Sequence, residues 1–205
     1  MKKRKSIAFF VAATLLFLFG IGYYTFTRGN PNLERNIGDV VDELNGVKVY
    51  YNGGVGNVVE RNTSPDGYNI GLKYQCVEFV KRYFYERYQH KMPDAYGHAK
   101  SFYNNQLKTG SMNTSRGMYQ FANGSTTKPM VDDLIVFDGT AWNQYGHVAI
   151  ISDVSDQDIE ITQQNPGPFG ESRIRLPLVK KSADTWSIDR EDTLGFLRMP
   201  ENMNK

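Results

Sequence analysis

The chain has 205 residues, with 24 Lys+Arg against 22 Asp+Glu and a formal net charge of +2. Beyond residue 30 the basic side chains form no stripe, so nucleic acid is not expected as a partner. A single cysteine excludes an intrachain disulfide and a thiolate-rich metal site, and neither a metal nor another cofactor is expected.

Lys2, Lys3, Arg4 and Lys5 precede an uncharged apolar run from Ile7 to Tyr24, which Thr25 and Phe26 extend. A helix of that length matches the ~30 Å hydrocarbon core of a bilayer, and Tyr23 and Tyr24 suit an interfacial belt. No Ala-x-Ala site follows Leu18, which favours an uncleaved anchor over a signal peptide. Basic flanks stay inside. Residues 1–26 are therefore expected to form a cytoplasmic basic stub and one transmembrane helix, with the rest of the chain extracytoplasmic. Residues 27–44, interrupted by Gly29 and Pro31, read as a linker with a short helix over Ile37–Leu44.

The 19 glycines, 13 tyrosines and 12 phenylalanines that mark the chain point to a turn-rich α+β domain. Val47–Tyr51 alternates like a strand and ends at Asn52-Gly53-Gly54. From Tyr74 a helix is expected, with Cys76, Phe79, Val80, Tyr83, Phe84 and Tyr88 on one face. Glu78, Lys81, Arg82 and Glu86 occupy the other face, Glu78 and Arg82 being a favourable i, i+4 pair. This helix cannot pass Pro93. Tyr96–Leu107 reads as a second short amphipathic helix, and the polar stretch 109–128 as a surface wrap. Strands are expected over Asp133–Asp138, Gly146–Ile151, Asp158–Gln163 and Leu194–Arg198.

Cys76 at a helix start meets unpaired N–H groups and the positive dipole end, which lower a thiol pKa and favour a nucleophile. The same residue equally suits a small apolar place in a helix seam. Of the three histidines, His90 reads as a helix-end cap and His98 as structural or exposed. His147 opens an otherwise apolar strand. Centring the hairpin turn near Ser155 pairs Ile151 with Ile159, Ala149 with Ile161 and His147 with Gln163, all on one face. His147 can then take the Cys76 proton while Gln163 or Asn165 fixes its tautomer. The Cys76 backbone N–H and the Gln75 region are the oxyanion donors to consider.

The blocks Gln75-Cys76-Val77-Glu78-Phe79-Val80-Lys81-Arg82, Asp133-Leu134-Ile135-Val136-Phe137, Gly146-His147-Val148-Ala149-Ile150-Ile151 and Gln163-Gln164-Asn165 together resemble the CHAP domain. That family comprises cysteine, histidine-dependent amidohydrolases and peptidases of the NlpC/P60 papain-like superfamily. The blocks also look like the amidase domain of glutathionylspermidine synthetase/amidase. The resemblance implies a CHAP domain over residues 45–200 with a tail at 201–205, and a papain-like α+β fold with N-terminal helices on a small antiparallel sheet. It further implies Cys76 as nucleophile and His147 as general base and acid. Relatives usually carry Glu where this chain has Gln163, and a neutral amide stabilises an imidazolium less than a carboxylate does. The expectation is a membrane-anchored amidohydrolase acting on an amide or peptide substrate, peptidoglycan peptides first. The alternatives are a glutathionylspermidine amidase-like hydrolase and a non-catalytic binding module of the cell envelope.

Overall fold

The computed structural model describes residues 2–141, 143–181 and 184–203. Met1 of the expected basic stub and the last two residues of the expected tail lie outside them. Helix α1 spans Lys2–Arg28. Its apolar window Phe9–Arg28 has a mean hydropathy of 1.8 and is buried against nothing in the chain. It is long and apolar enough to cross a membrane.

The strands are β1 (Val40–Leu44), β2 (Val47–Tyr50), β3 (Arg61–Thr63), β4 (Asn69–Leu72), β5 (Ser111–Asn113), β6 (Met118–Ala122), β7 (Leu134–Phe137), β8 (His147–Val154), β9 (Asp158–Thr162), β10 (Arg173–Lys180), β11 (Trp186–Ile188) and β12 (Thr193–Arg198); helix α2 spans Cys76–Tyr88. Eight of these strands form one antiparallel sheet in the order β11-β10-β9-β8-β7-β12-β6-β5, while β1-β2 and β3-β4 are separate hairpins. This is an α+β fold consistent with a CHAP-like domain.

Both faces of the central strands are covered. On one, Leu134, Val136, Val148, Ile150 and Leu197 pack against Cys76, Phe79, Val80, Tyr83 and Phe84 of α2. On the other, Ile135, Phe137, Ala149, Ile151, Ile159 and Ile161 join Leu176, Leu178 and Ile188. The four expected strands and the long helix form where expected, and Ala149, Ile151, Ile159 and Ile161 share one face. The β8–β9 register differs: Ile151 faces Ile161, two residues on, and past a bulge between Ile151 and Asp153 the offset grows to three, with Val154 facing Ile159. The two-residue slip at Ile151 is even, so Ala149, Ile151, Ile159 and Ile161 keep one face, and the bulge turns Val154 onto it as well.

Other expectations are corrected. Residues 40–44 form a strand, because Asn45 and Gly46 adopt positive φ (51° and 86°) and close a tight hairpin onto β2. The expected second helix shrinks to a 3-10 turn over Ala99–Phe102. The stretch 109–128 contributes β5 and β6 to the sheet edge. Three of the four residues on the charged face of α2 are buried, Glu78 and Lys81 each 1% exposed and Arg82 6%, beneath the β3–β4 hairpin, while Glu86 stays exposed. Residues 27–37 are tied to the domain, with Gly56 N–H donating to Thr27 C=O (2.8 Å), Arg28 Nη1 to Gly56 C=O (2.7 Å) and Asn32 Nδ2 to Pro168 C=O (3.1 Å).

Candidate active site

Cys76 is the first residue of α2, with Gln75 in extended conformation as its N-cap. The sequence rises from β4 through Leu72–Gln75, and Gln75 N–H donates to Leu72 C=O (2.9 Å) before the helix begins. The thiol is buried among α2 and β8 residues. Burial pushes its pKa up to about 11, although the backbone N–H groups of Val148, Val77 and Cys76 favour the thiolate. The helix-start donors are thus present, but desolvation outweighs them and the resting thiol keeps its proton. The polar neighbours of Sγ are these backbone groups and not the imidazole.

His147 begins β8 directly beyond Sγ's neighbour Val148. Its Nε2–H donates to Gln163 Oε1 (2.9 Å), and Gln163 Nε2 donates to the Glu171 carbonyl (3.0 Å). The second bond fixes which way the Gln163 amide points, so its oxygen faces the ring and Nδ1 keeps the free lone pair. Burial depresses the His147 pKa to about 4, partly offset by the Gln163 bond, with Arg190 lowering and Asp192 raising it further away. The resting pair is therefore a neutral thiol and a neutral imidazole. Phe137 stacks on the ring at 6.2 Å. Gly146, at φ 75°, cannot carry a side chain, since a Cβ would lie 2.4 Å from the Phe137 carbonyl and 2.8 Å from Lys100 Cβ. That approach brings exposed Lys100 beside the entry to β8, where its N–H donates to Tyr145 C=O (3.0 Å). His98, exposed as expected, packs its ring 4.5 Å from that of Tyr145.

Asn165 sits at φ 61° and donates to Val55 C=O (2.9 Å) and Gln75 Oε1 (2.8 Å), so its amide braces Gln75 while Gln163 meets the imidazole. Gln75 Nε2 in turn donates to Asn57 C=O (2.6 Å). With both Gln75 donors engaged, the Cys76 and Val77 N–H groups of the first turn of α2, which have no acceptor within the helix, are the ones that meet Sγ.

Gln164 is a residue that sequence reasoning passed over. It is fully buried, accepts from Tyr50 N–H (2.8 Å) and donates to Gln75 C=O (3.0 Å) and Glu78 Oε2 (2.8 Å). Glu78 also holds Arg82 (2.7 Å) and Asn62 (2.8 Å). Strand alternation was the available signal: if Gln163 points at His147, its neighbour points the other way, towards the cysteine helix. Among the described residues no three His, Cys, Asp or Glu side chains are grouped to hold a metal ion.

Residues 65–165 match the CHAP domain family. Trypanothione synthetase of Crithidia fasciculata is 33% identical over 100 residues, covering 49% of this chain and 15% of that protein. Bifunctional glutathionylspermidine synthetase/amidase of Escherichia coli (strain K12) and of Shigella flexneri are each 30% identical over 165 residues, covering 71% of this chain and 26% of theirs. The chain thus spans about a quarter or less of the length of these curated relatives. The crystal structure of a wild type endolysin, LysIME-EF1, is similar at 18% identity and a TM-score of 0.40, covering 73% of this chain and 62% of that one.

Proposed function

The chain carries a CHAP domain, the catalytic domain of cysteine amidohydrolases and peptidases, and on that premise we propose that it hydrolyses an amide bond by acyl transfer through Cys76 and His147. The observation that carries this reading is the relay Glu171 C=O, Gln163, His147, which leaves Nδ1 as the basic nitrogen on the residue preceding Val148, whose backbone N–H meets the thiol.

In the proposed cycle His147 Nδ1 takes the Cys76 proton as Sγ attacks the substrate carbonyl carbon. The oxyanion receives N–H donors from the start of α2. Collapse breaks the C–N bond, His147 returns its proton to the leaving amine, and a thioester remains on Cys76. His147 then draws a proton from water, whose oxygen attacks the thioester carbon; collapse breaks the C–S bond and His147 returns that proton to Sγ, so the acid leaves and the thiol is restored. A side-chain rotation at Cys76 or a small ring swing brings Sγ to Nδ1; catalytic hydrogen bonds commonly tighten only with substrate bound. Because both groups rest neutral, proton transfer accompanies attack and no standing thiolate–imidazolium pair is required.

The names of the curated relatives support glutathionylspermidine as the substrate, cleaved to glutathione and spermidine. A second reading, a peptidoglycan peptide, is supported by α1: a single span with its basic flank inside would put residues 45–200 outside the cytoplasmic membrane. The full chain, incubated separately with glutathionylspermidine and with purified peptidoglycan beside a Cys76→Ala control, distinguishes them by mass spectrometry. Cys76-dependent release of spermidine supports the first reading and Cys76-dependent muropeptides the second. No Cys76-dependent product from either would overturn the hydrolase reading with these substrates.

A further inference from the structure

The junction between α1 and the domain contains no spacer. Helix α1 is 27 residues long, ~40 Å at the usual rise, so a ~30 Å hydrocarbon core takes up the apolar run and leaves Thr27 and Arg28 among the headgroups. At that level the loop 53–56 is already bonded to the helix end: Gly54 N–H donates to Gly29 C=O and Gly56 N–H to Thr27 C=O, both at 2.8 Å. The approach is so close that a Cβ on Gly54 would lie 2.5 Å from the Thr27 carbonyl carbon.

Around this exit the surface is apolar. Leu33 is 96% exposed and Phe169 67%, and they are brought near each other by the Asn32–Pro168 hydrogen bond. Exposed Val55 lies against Gly167, and exposed Ile37 against Gly53. Exposed Arg28 and Arg35 lie along the same segment, with Glu34 and Glu171 as exposed acids near them. Solvated apolar side chains gathered at one place mark a surface that is covered in use. The helix leaving from the middle of this patch says by what.

We propose that this face, formed by Leu33, Ile37, Val55 and Phe169 around the end of α1, lies on the bilayer surface at headgroup level. The proposal rests on α1 being a membrane span. It has a consequence for the site, because Val55 C=O is the acceptor for both Gln75 Nε2 (3.3 Å) and Asn165 Nδ2 (2.9 Å). The loop at the bilayer surface is the one that braces the residue preceding the nucleophile, so the membrane face and the Cys76 end of α2 share one brace, and the site takes amides presented at the membrane.

The test uses the full chain in liposomes whose phosphatidylcholine carries bromine on the acyl chain near the headgroup. Leu33→Trp and Phe169→Trp report the proposed face, and Val179→Trp, towards the far end of β10, serves as reference. Leu33 is so exposed that its replacement disturbs no packing. The proposal expects the added fluorescence at 33 and 169 to be quenched at least twofold more by brominated than by ordinary lipid, and that at 179 to be unaffected. Equal quenching at all three positions, in protein that floats with the liposomes, overturns the proposal and leaves the span intact. Protein that does not float with liposomes overturns the span and the proposal together.

Discussion

The two faces of α2 invite comparison. One is an apolar seam of Phe79, Val80, Tyr83 and Phe84 against the sheet; the other carries Glu78, Lys81 and Arg82 and is buried almost as fully. The seam is held mainly by packing, its one directed point being the Tyr83 hydroxyl, which donates to Asp132 and accepts from Asn45. The charged face is held by directed bonds: Glu78 to Arg82, Asn62 and Gln164, and Lys81 to the carbonyls of Asn69 and Ala95. Among the described residues Lys81 forms no ion pair; it lies 4.7 Å from the Tyr68 ring and is pushed down by burial to a pKa of about 8, against a raising influence of Asp94. The lesson is a division of labour. Packing decides that the helix lies on the sheet, whereas the polar face decides how it is rotated and slid, and so where Cys76 stands relative to His147.

Five changes break or sharpen that comparison. Cys76→Ala, at the point where both faces meet the site, is expected to lower amide hydrolysis by at least about 10³-fold while leaving the unfolding midpoint nearly unchanged. Steady-state kinetics beside a denaturant titration reads both. Glu78→Ala leaves a buried guanidinium uncompensated and is expected to cost ~3–5 kcal/mol, comparable with ~3–5 kcal/mol for Phe79→Ala in the seam. A cost for Glu78→Ala of ~0.5 kcal/mol, typical of a surface pair, would mean that the charged face is solvated after all.

Gln163→Glu sharpens the electrostatic side. A carboxylate at Nε2 favours the imidazolium, raising the depressed pKa of His147 and making the thiolate more accessible at neutral pH. Iodoacetamide should then alkylate Cys76 at pH 7 about tenfold faster than in the wild type, whose thiol near pKa 11 should react appreciably only in alkaline solution. The last effect is on the pH dependence of stability. His147 has a folded pKa of about 4 against the ordinary 6.5. Between those values the unfolded chain binds the proton and the folded chain does not, so stability should fall as pH drops from 6.5 to 4. His147→Gln should flatten that part of the curve in urea unfolding.

Much of the seam was legible in the sequence, and little of its counterpart. The 3.6-residue spacing of Phe79, Val80, Tyr83 and Phe84 specifies a buried stripe. The alternation through Ala149, Ile151, Ile159 and Ile161 sorts them to one face, even though their partners are displaced by two or three residues. A charged face reads as solvated unless its cover is known, and the β3–β4 hairpin leaves no hydrophobic period to announce it. Asn45-Gly46 carried a hairpin signal that favoured β1 over a helix, and the Val40-Val41 pair suited a strand. For the site, local spacing brought Cys76 to a helix start and His147 to a strand entry, but burial set the sign of the thiol shift. Burial depends on the whole fold and not on the residues flanking Cys76.

The most direct test of the account is the acyl-enzyme. The full chain, mixed with glutathionylspermidine and acid-quenched during turnover, should show a mass increase equal to glutathione less water, located on the peptide containing Cys76, with spermidine released. Cys76→Ala should show neither. Spermidine release that survives the Cys76→Ala substitution would contradict the account, because the thiol would then form no bond to the substrate.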